Sequence, residues 1–249
     1  MFSRKKRTLQ QGLSVVELMV GIAIGLFIVG GAMKLFVENL NSNRNLLLQT
    51  RVNQDLRGAA DVIVRDVRRA NYWENATTGL FGLDSTSTVP NPHTGASAPL
   101  VVNNANNIIT YSYARNNDDQ VNTNEYSGFK LEAVNGIGVL KVQTSENVWS
   151  ELTDKTSLDV THFTVTQASP AITNNLSKYC PCLKTLTCSF NVSTNTWTNP
   201  STWTTPPTLT IPRVTIIITG RAIADSSVER TLRQTVRVRN AQLSGNCPT

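Results

Sequence analysis

Glu17 is the residue whose chemistry most needs an explanation. It stands five positions after Gly12 and directly before LMVGIAIGLFIVGGAM, residues 18–33, sixteen consecutive uncharged positions. A carboxylate beside such a run needs a cationic partner, a depth near the membrane interface, or a part in processing. Two other groups of side chains could do chemistry. Four cysteines, Cys180, Cys182, Cys188 and Cys247, include the run CPCLKTLTC, whose C-x-C-x5-C spacing differs from the paired C-x2-C knuckles of a common zinc site. An even count in an exported chain points to two disulfides, with three pairings open; free thiols and a metal site are the alternatives. The two histidines are His93, in the turn-like VPNPHTG, and His162, within a strand-like run.

Neither histidine has a nucleophile pattern beside it. The chain contains no G-x-S-x-G elbow, no phosphate-binding glycine loop and no H-E-x-x-H metal helix. The expectation is a protein without a catalytic centre, cofactor or resident metal.

The elements around Glu17 are membrane-like. Arg4, Lys5, Lys6 and Arg7 carry four positive charges of the formal +6, leaving +2 for residues 8–249. Basic residues before an apolar run hold that end on the cytoplasmic side. About 20 helical residues at ~1.5 Å each span a ~30 Å hydrocarbon core. Gly21, Gly25, Gly30 and Gly31 weaken a helix in water but permit close helix packing, and Gly21 with Gly25 forms a small-xxx-small pair. A cleaved secretory signal is the plain alternative, yet GGAMKLF lacks an A-x-A site and helical periodicity continues past it. A plain single-span anchor is the other. Neither accounts for Glu17.

GLSVVELMVGIAIG resembles the class III signal of type IV prepilins and pseudopilins. That resemblance implies cleavage between Gly12 and Leu13 by a prepilin peptidase and N-methylation of Leu13. It gives Glu17, at mature position five, a role in assembly or processing. Leu13 departs from the phenylalanine usual in the family but keeps the position apolar. It also implies that the apolar segment is retained. In a water-free filament core the Glu17 carboxylate then pairs with the terminal amine of a neighbouring subunit.

A second periodic stretch follows. Leu40, Leu47, Leu48, Val52, Leu56, Ala59, Ala60, Ile63, Val67 and Ala70 recur at mostly three- and four-residue steps, which predicts one amphipathic face on a helix running from Leu13 to Tyr72. Gly58 and the Asn-rich stretch near Leu40 are the places where it could bend. Residues 74–107 are rich in Gly, Pro, Ser, Thr and Asn and read as loop. Strands are expected at 108–113, 129–134, 138–143, 159–165, 214–219 and within VERTLRQTVRVRN. In the last, Leu232, Val236 and Val238 share one face and Arg233, Arg237 and Arg239 the other. That arginine face reads as a solvated or edge-protecting face, with partner binding as the alternative. Residues 168–212 look like an insertion carrying Cys180, Cys182, Cys188, Trp197 and Trp203, and Cys247 could tie the C-terminus to it.

The expected fold class is α+β and pilin-like: a long N-terminal helix, transmembrane in its first half, packed on an antiparallel β-sheet head. The expected organisation is a leader at 1–12, a transmembrane or filament-core helix at 13–37, an amphipathic second half at 38–73 and a periplasmic head at 74–249. RVNQDLRGAADVIVRDVRRANYW and ERTLRQTVRVRN are similar to the late-helix and final-strand segments of PilW-type minor pilins. The resemblance implies a minor pilin that initiates or caps a type IV pilus at its tip, with twitching, adhesion or DNA uptake as the pilus activity. Its implied partners are prepilin peptidase, other minor and major pilins, the inner-membrane assembly platform and a tip adhesin. The implied location is the bacterial inner membrane as a single pass, then the surface pilus. A J-type minor pseudopilin of a type II secretion system shares the design and is the alternative. A DNA-binding subunit is the alternative of another class. Arg65, Arg68 and Arg69 cluster late in the helix and Arg233, Arg237 and Arg239 on the strand, but an excess of +2 beyond the leader makes direct nucleic-acid binding unexpected.

Overall fold

The fold is taken from a computed structural model. It describes residues 12, 14–75, 91–94, 100–103, 105, 107–116, 118–167, 172–175, 189–191, 193, 196–198 and 208–244. The chain divides into two compact units, Met1–Leu47 and Leu48–Thr249.

A single continuous helix, α1 (Val15–Val67), passes through both units. It carries no break at Gly58 or near Leu40, and it is shorter than the sequence periodicity predicts. At its end, Arg69 N–H donates to Asp66 O at 2.8 Å and Ala70 N–H to Val67 O at 3.2 Å, the tighter i,i−3 bonds of a closing turn. Asn71 then adopts φ 62, the left-handed conformation that stops a helix.

In the first unit, every described residue from Ser14 to Leu47 is exposed, including Val16, Leu18, Met19, Val20, Ile22, Phe27 and Phe36. In the second unit the same helix buries one face. Val52, Leu56, Ala59, Ala60, Ile63 and Val67 are buried at the steps the sequence predicts, whereas Leu40 and Leu47 of the predicted stripe are exposed.

The head is an antiparallel β structure. β1 (Val101–Asn103), β2 (Ile108–Ser112), β3 (Tyr126–Val134), β4 (Ile137–Ser145) and β5 (Val148–Glu151) form a five-stranded meander in that order. β6 (Leu158–Gln167) pairs with β11 (Arg213–Ala222), which pairs in turn with β12 (Asp225–Arg237) at the edge of a second sheet. β7 (Ile172–Asn175), β10 (Thr208–Ile211) and β13 (Gln242–Ser244) form a third sheet, and β8 (Ser189–Asn191) pairs with β9 (Thr196–Thr198). β7 to β10 fall inside the stretch expected to be an insertion. β10 pairs with β13 so that Thr208 faces Ser244, which ties the chain's end to that stretch through backbone bonds.

Apolar side chains of the first two sheets close over the buried face of α1. Ile109, Tyr111 and Phe129 come from the meander; Phe163, Val165, Ile216, Ile218, Val236 and Val238 come from the second sheet and its continuation. Two glycines are set by geometry. The β3–β4 hairpin turns through Asn135 and Gly136 at φ 54 and 82, positive values that an Asn-Gly pair adopts at least cost. At Gly138 an added Cβ would run into the Val160 carbonyl, so β4 approaches β6 there only without a side chain. The Gly138 N–H donates to Asp159 Oδ1 at 2.8 Å, and Asp159 Oδ2 accepts Arg221 Nε at 2.8 Å.

Candidate functional site

The amino-terminal segment is assembled from residues close in sequence. Gly12 and Ser14 are exposed and lie before the helix, and Leu13 lies outside the described residues. The first helical bond runs from Leu18 N–H to Ser14 O at 3.1 Å. Glu17 therefore sits in the first turn of α1. A carboxylate there faces the partial positive charge of the unpaired helical N–H groups. Ser14-Val15-Val16-Glu17 also has the S-x-x-E spacing of a capping box.

The segment behind Glu17 is long and apolar enough to cross a membrane, and none of its apolar window is buried within the chain. A Cβ added at Gly21, Gly25, Gly30 or Gly31 would meet nothing within 4 Å. These glycines leave shallow, unfilled positions on the helix surface. What the arrangement can do chemically is limited and specific. It can present a peptide bond at Gly12 before the helix, hold a carboxylate one turn further on, and offer an apolar surface to lipid or to like helices.

The head holds three polar centres, of which only His93 was singled out in the sequence. Asp66 accepts hydrogen bonds from Tyr111 Oη at 2.6 Å, Ser127 Oγ at 2.7 Å and Tyr113 Oη at 3.3 Å. Burial pushes the Tyr111 phenol well above its ordinary pKa, and the adjacent Asp66 charge pushes it the same way. Arg69 stacks over the Tyr113 ring at 4.3 Å from its centroid. Glu125 is fully buried, and its carboxylate accepts backbone N–H groups of Arg115 at 2.7 Å and Asn122 at 2.8 Å, pinning the loop between β2 and β3.

The third centre is His93, in a short 3-10 turn Pro92–Thr94. Its Nδ1 lies 2.9 Å from Ser112 Oγ. The pair has the spacing of a base and a nucleophile, but both side chains have no exposed surface, so as placed they offer no open face to a substrate. Burial lowers the His93 pKa, against the opposing pull of Glu125, Glu74 and Asp118. His162 is exposed on β6, with its Nδ1 3.2 Å from Thr161 Oγ1. The structure does not bring the two histidines into one site by any hydrogen bond.

Among the described residues, no group of His, Cys, Asp and Glu is placed to hold a metal ion. Cys180, Cys182, Cys188, Cys247 and Trp203 lie outside the described residues, and Trp197 is described only as part of β9. The arginines predicted to share a strand face do so: Arg233 and Arg237 are exposed, while Val236 and Val238 are buried. The arginines late in the helix and those of the strand meet through the backbone. Arg239 N–H donates to Arg68 O at 3.1 Å.

The family model described as PpdB, prepilin peptidase-dependent protein B, matches residues 45–238. That span covers the amphipathic part of α1 and the head up to Val238, and it excludes Gly12, Leu13 and Glu17. No curated protein and no solved structure matches the chain.

Proposed function

The chain belongs to the prepilin peptidase-dependent protein B family, and from that premise we propose that it is a minor pilin of PilW type that initiates or caps a type IV pilus. The observation that carries this reading is α1 itself. One uninterrupted helix has an apolar N-terminal part buried against nothing in its own chain and a later part that forms the core of a β head. A plain membrane anchor needs only the first of these. A subunit that must leave the bilayer and pack among like helices needs an apolar surface, small residues for close approach and a mate for its carboxylate.

The family description supports processing by a prepilin peptidase, and the leader supplies the bond, Gly12–Leu13. The head lies on the periplasmic side because the basic leader stays in the cytoplasm. Cys180, Cys182, Cys188 and Cys247 form two disulfides there, a reading that rests on their even number in an exported head. The other partners are minor and major pilins, the assembly platform and a tip adhesin. The subunit has no enzymatic role. Pilus rather than secretion filament is favoured by the resemblance of the late-helix and final-strand segments.

Intact-mass analysis of chain taken from membranes, together with probing of sheared filaments, tests this reading. The expected species lacks residues 1–12, carries one added methyl group and appears in filaments at low abundance. A mature end near residue 33 overturns it. Recovery solely in secretion filaments moves the chain to the J-type pseudopilins.

A further inference from the structure

We propose that the head carries a binding surface for the phosphate backbone of a nucleic acid, formed by Arg65, Arg68, Arg239, Arg237 and Arg213. Each step along this row is set by backbone geometry. Arg65 and Arg68 are three residues apart at the end of α1, neighbours on one helical face. Arg239 N–H donates to Arg68 O at 3.1 Å, so the two residues adjoin. Arg237 lies two residues before Arg239, and Arg237 faces Arg213 in the β11–β12 register. All five are exposed, and none takes part in an ion pair among the described residues.

Like charges directly opposite on adjacent strands destabilise a sheet, so the Arg213–Arg237 pair works against the head's own stability. Edge protection explains arginines on β12, which lies at a sheet edge. It does not explain Arg65 and Arg68, which lie on no strand. The row reads as a surface kept for an anionic partner.

The chemistry of the row narrows that partner. Every member is arginine, whose planar fork of donors matches phosphate oxygens bidentately, where lysine offers only a point charge. A row suits a polymer with repeating charges better than a lone phosphate. A protein partner would need aromatic or apolar anchors at the centre of the contact, and a lipid surface would need an apolar face to insert; the row supplies neither. Backbone contacts of this kind bind without reading sequence. The modest +2 beyond the leader conceals the row, because acids elsewhere on the chain offset it.

The test uses the full chain in neutral detergent micelles, with Arg4, Lys5, Lys6 and Arg7 changed to serine so that the leader contributes nothing. Binding of a fluorescent mixed-sequence 20-base-pair duplex is followed by anisotropy as salt is raised. Five phosphate contacts predict a slope of log affinity against log salt of about −4.5. Arg237→Ser with Arg239→Ser should reduce that slope by about 2 and weaken binding at least tenfold. Arg44→Ser with Arg57→Ser removes the same charge from exposed positions outside the row and should change neither. Absence of salt-dependent binding, or equal losses from both pairs, overturns the proposal. So does competition by polyglutamate as effective as that by duplex at equal charge, which would assign the row to an acidic protein surface. Circular dichroism of each variant keeps folding separate from binding.

Discussion

The Asp66 carboxylate accepts a 2.6 Å hydrogen bond from Tyr111 Oη, joining the last turn of α1 to β2 across forty-five positions of sequence. Ser127 on β3 donates to the same oxygen. One acid thus couples the helix to two strands, in a place where Tyr111 has almost no exposed surface. Charge-assisted hydrogen bonds in such surroundings contribute more than neutral ones, and a partner left unsatisfied costs the desolvation of that group. Asp66→Asn should destabilise the head by about 1–3 kcal/mol. Tyr111→Phe should lose less, because it removes the buried hydroxyl together with its need for a partner. The double variant should fall short of the sum, and urea unfolding of the four proteins measures that coupling.

Tyr111 also sets an alkaline limit. Its folded-state pKa is raised above 10, first by burial and then by Asp66. The folded state therefore holds the phenolic proton after the unfolded state has released it. The stabilisation is complete below pH 10 and is lost as pH rises from there toward the folded pKa. Stability measured from pH 9 upward should decline in the wild type, with a shallower slope in Tyr111→Phe. Identical slopes would mean that the hydroxyl does not titrate with unfolding.

His93 sets the acid counterpart. Its pKa is lowered from 6.5, chiefly by burial. The folded state keeps the ring neutral while the unfolded state takes up a proton. The contribution is present above pH 6.5 and is lost as pH falls below that value through the folded pKa. His93 Nε2 is buried without a hydrogen-bond partner among the described residues, so protonation there adds an unsatisfied donor. His93→Gln should cost stability at pH 7.5 through lost packing, yet flatten the fall between pH 6.5 and 5. An unchanged acid slope would assign that fall to carboxylates.

These centres show where sequence reasoning runs out. The strands β2, β3, β4, β6, β11 and β12 announce themselves as apolar or alternating runs, because each buries one face in the core. β1, β5 and β7 to β10 do not: VVN, VWSE, ITNN, SFN, TWT and TLTI are three or four residues long, and their pairing is decided by neighbours in space. Asn135-Gly136 was a hairpin signal available in the sequence. Asp66 looked like one more polar residue on a helix, since its partners at 111, 113 and 127 are distant in the chain. Gly12 and Glu17 could be singled out without the fold because they stand in one short linear stretch. The arginine row was half legible: both clusters could be named, but only the Arg68–Arg239 hydrogen bond joins them.

Glu17→Ala tests the meaning of the acid at the head of α1. Glu17 is exposed, and Val16, Leu18, Met19 and Val20 around it are exposed and apolar. Replacing a carboxylate with a methyl group makes this surface more apolar, so membrane insertion should persist. Cleavage at Gly12–Leu13 should persist as well if the acid acts in assembly. What changes is the situation inside a filament, where water is excluded. On the assembly reading the wild-type carboxylate neutralises a terminal amine there, and its removal would strand that amine at a cost of about 3–5 kcal/mol. That is enough to reduce incorporation more than a hundredfold at equal expression. A helix-capping role, which the S-x-x-E spacing allows, predicts a different pattern: Glu17→Gln would assemble nearly as well as wild type, since glutamine serves in a capping box. Processing, membrane fractionation and incorporation into sheared filaments should therefore be compared for wild type, Glu17→Ala and Glu17→Gln. Failure of both variants to incorporate, with cleavage intact, identifies the charge as the essential feature. Rescue by glutamine assigns Glu17 to the local cap, and uncleaved protein in either variant moves its contribution to recognition by the peptidase.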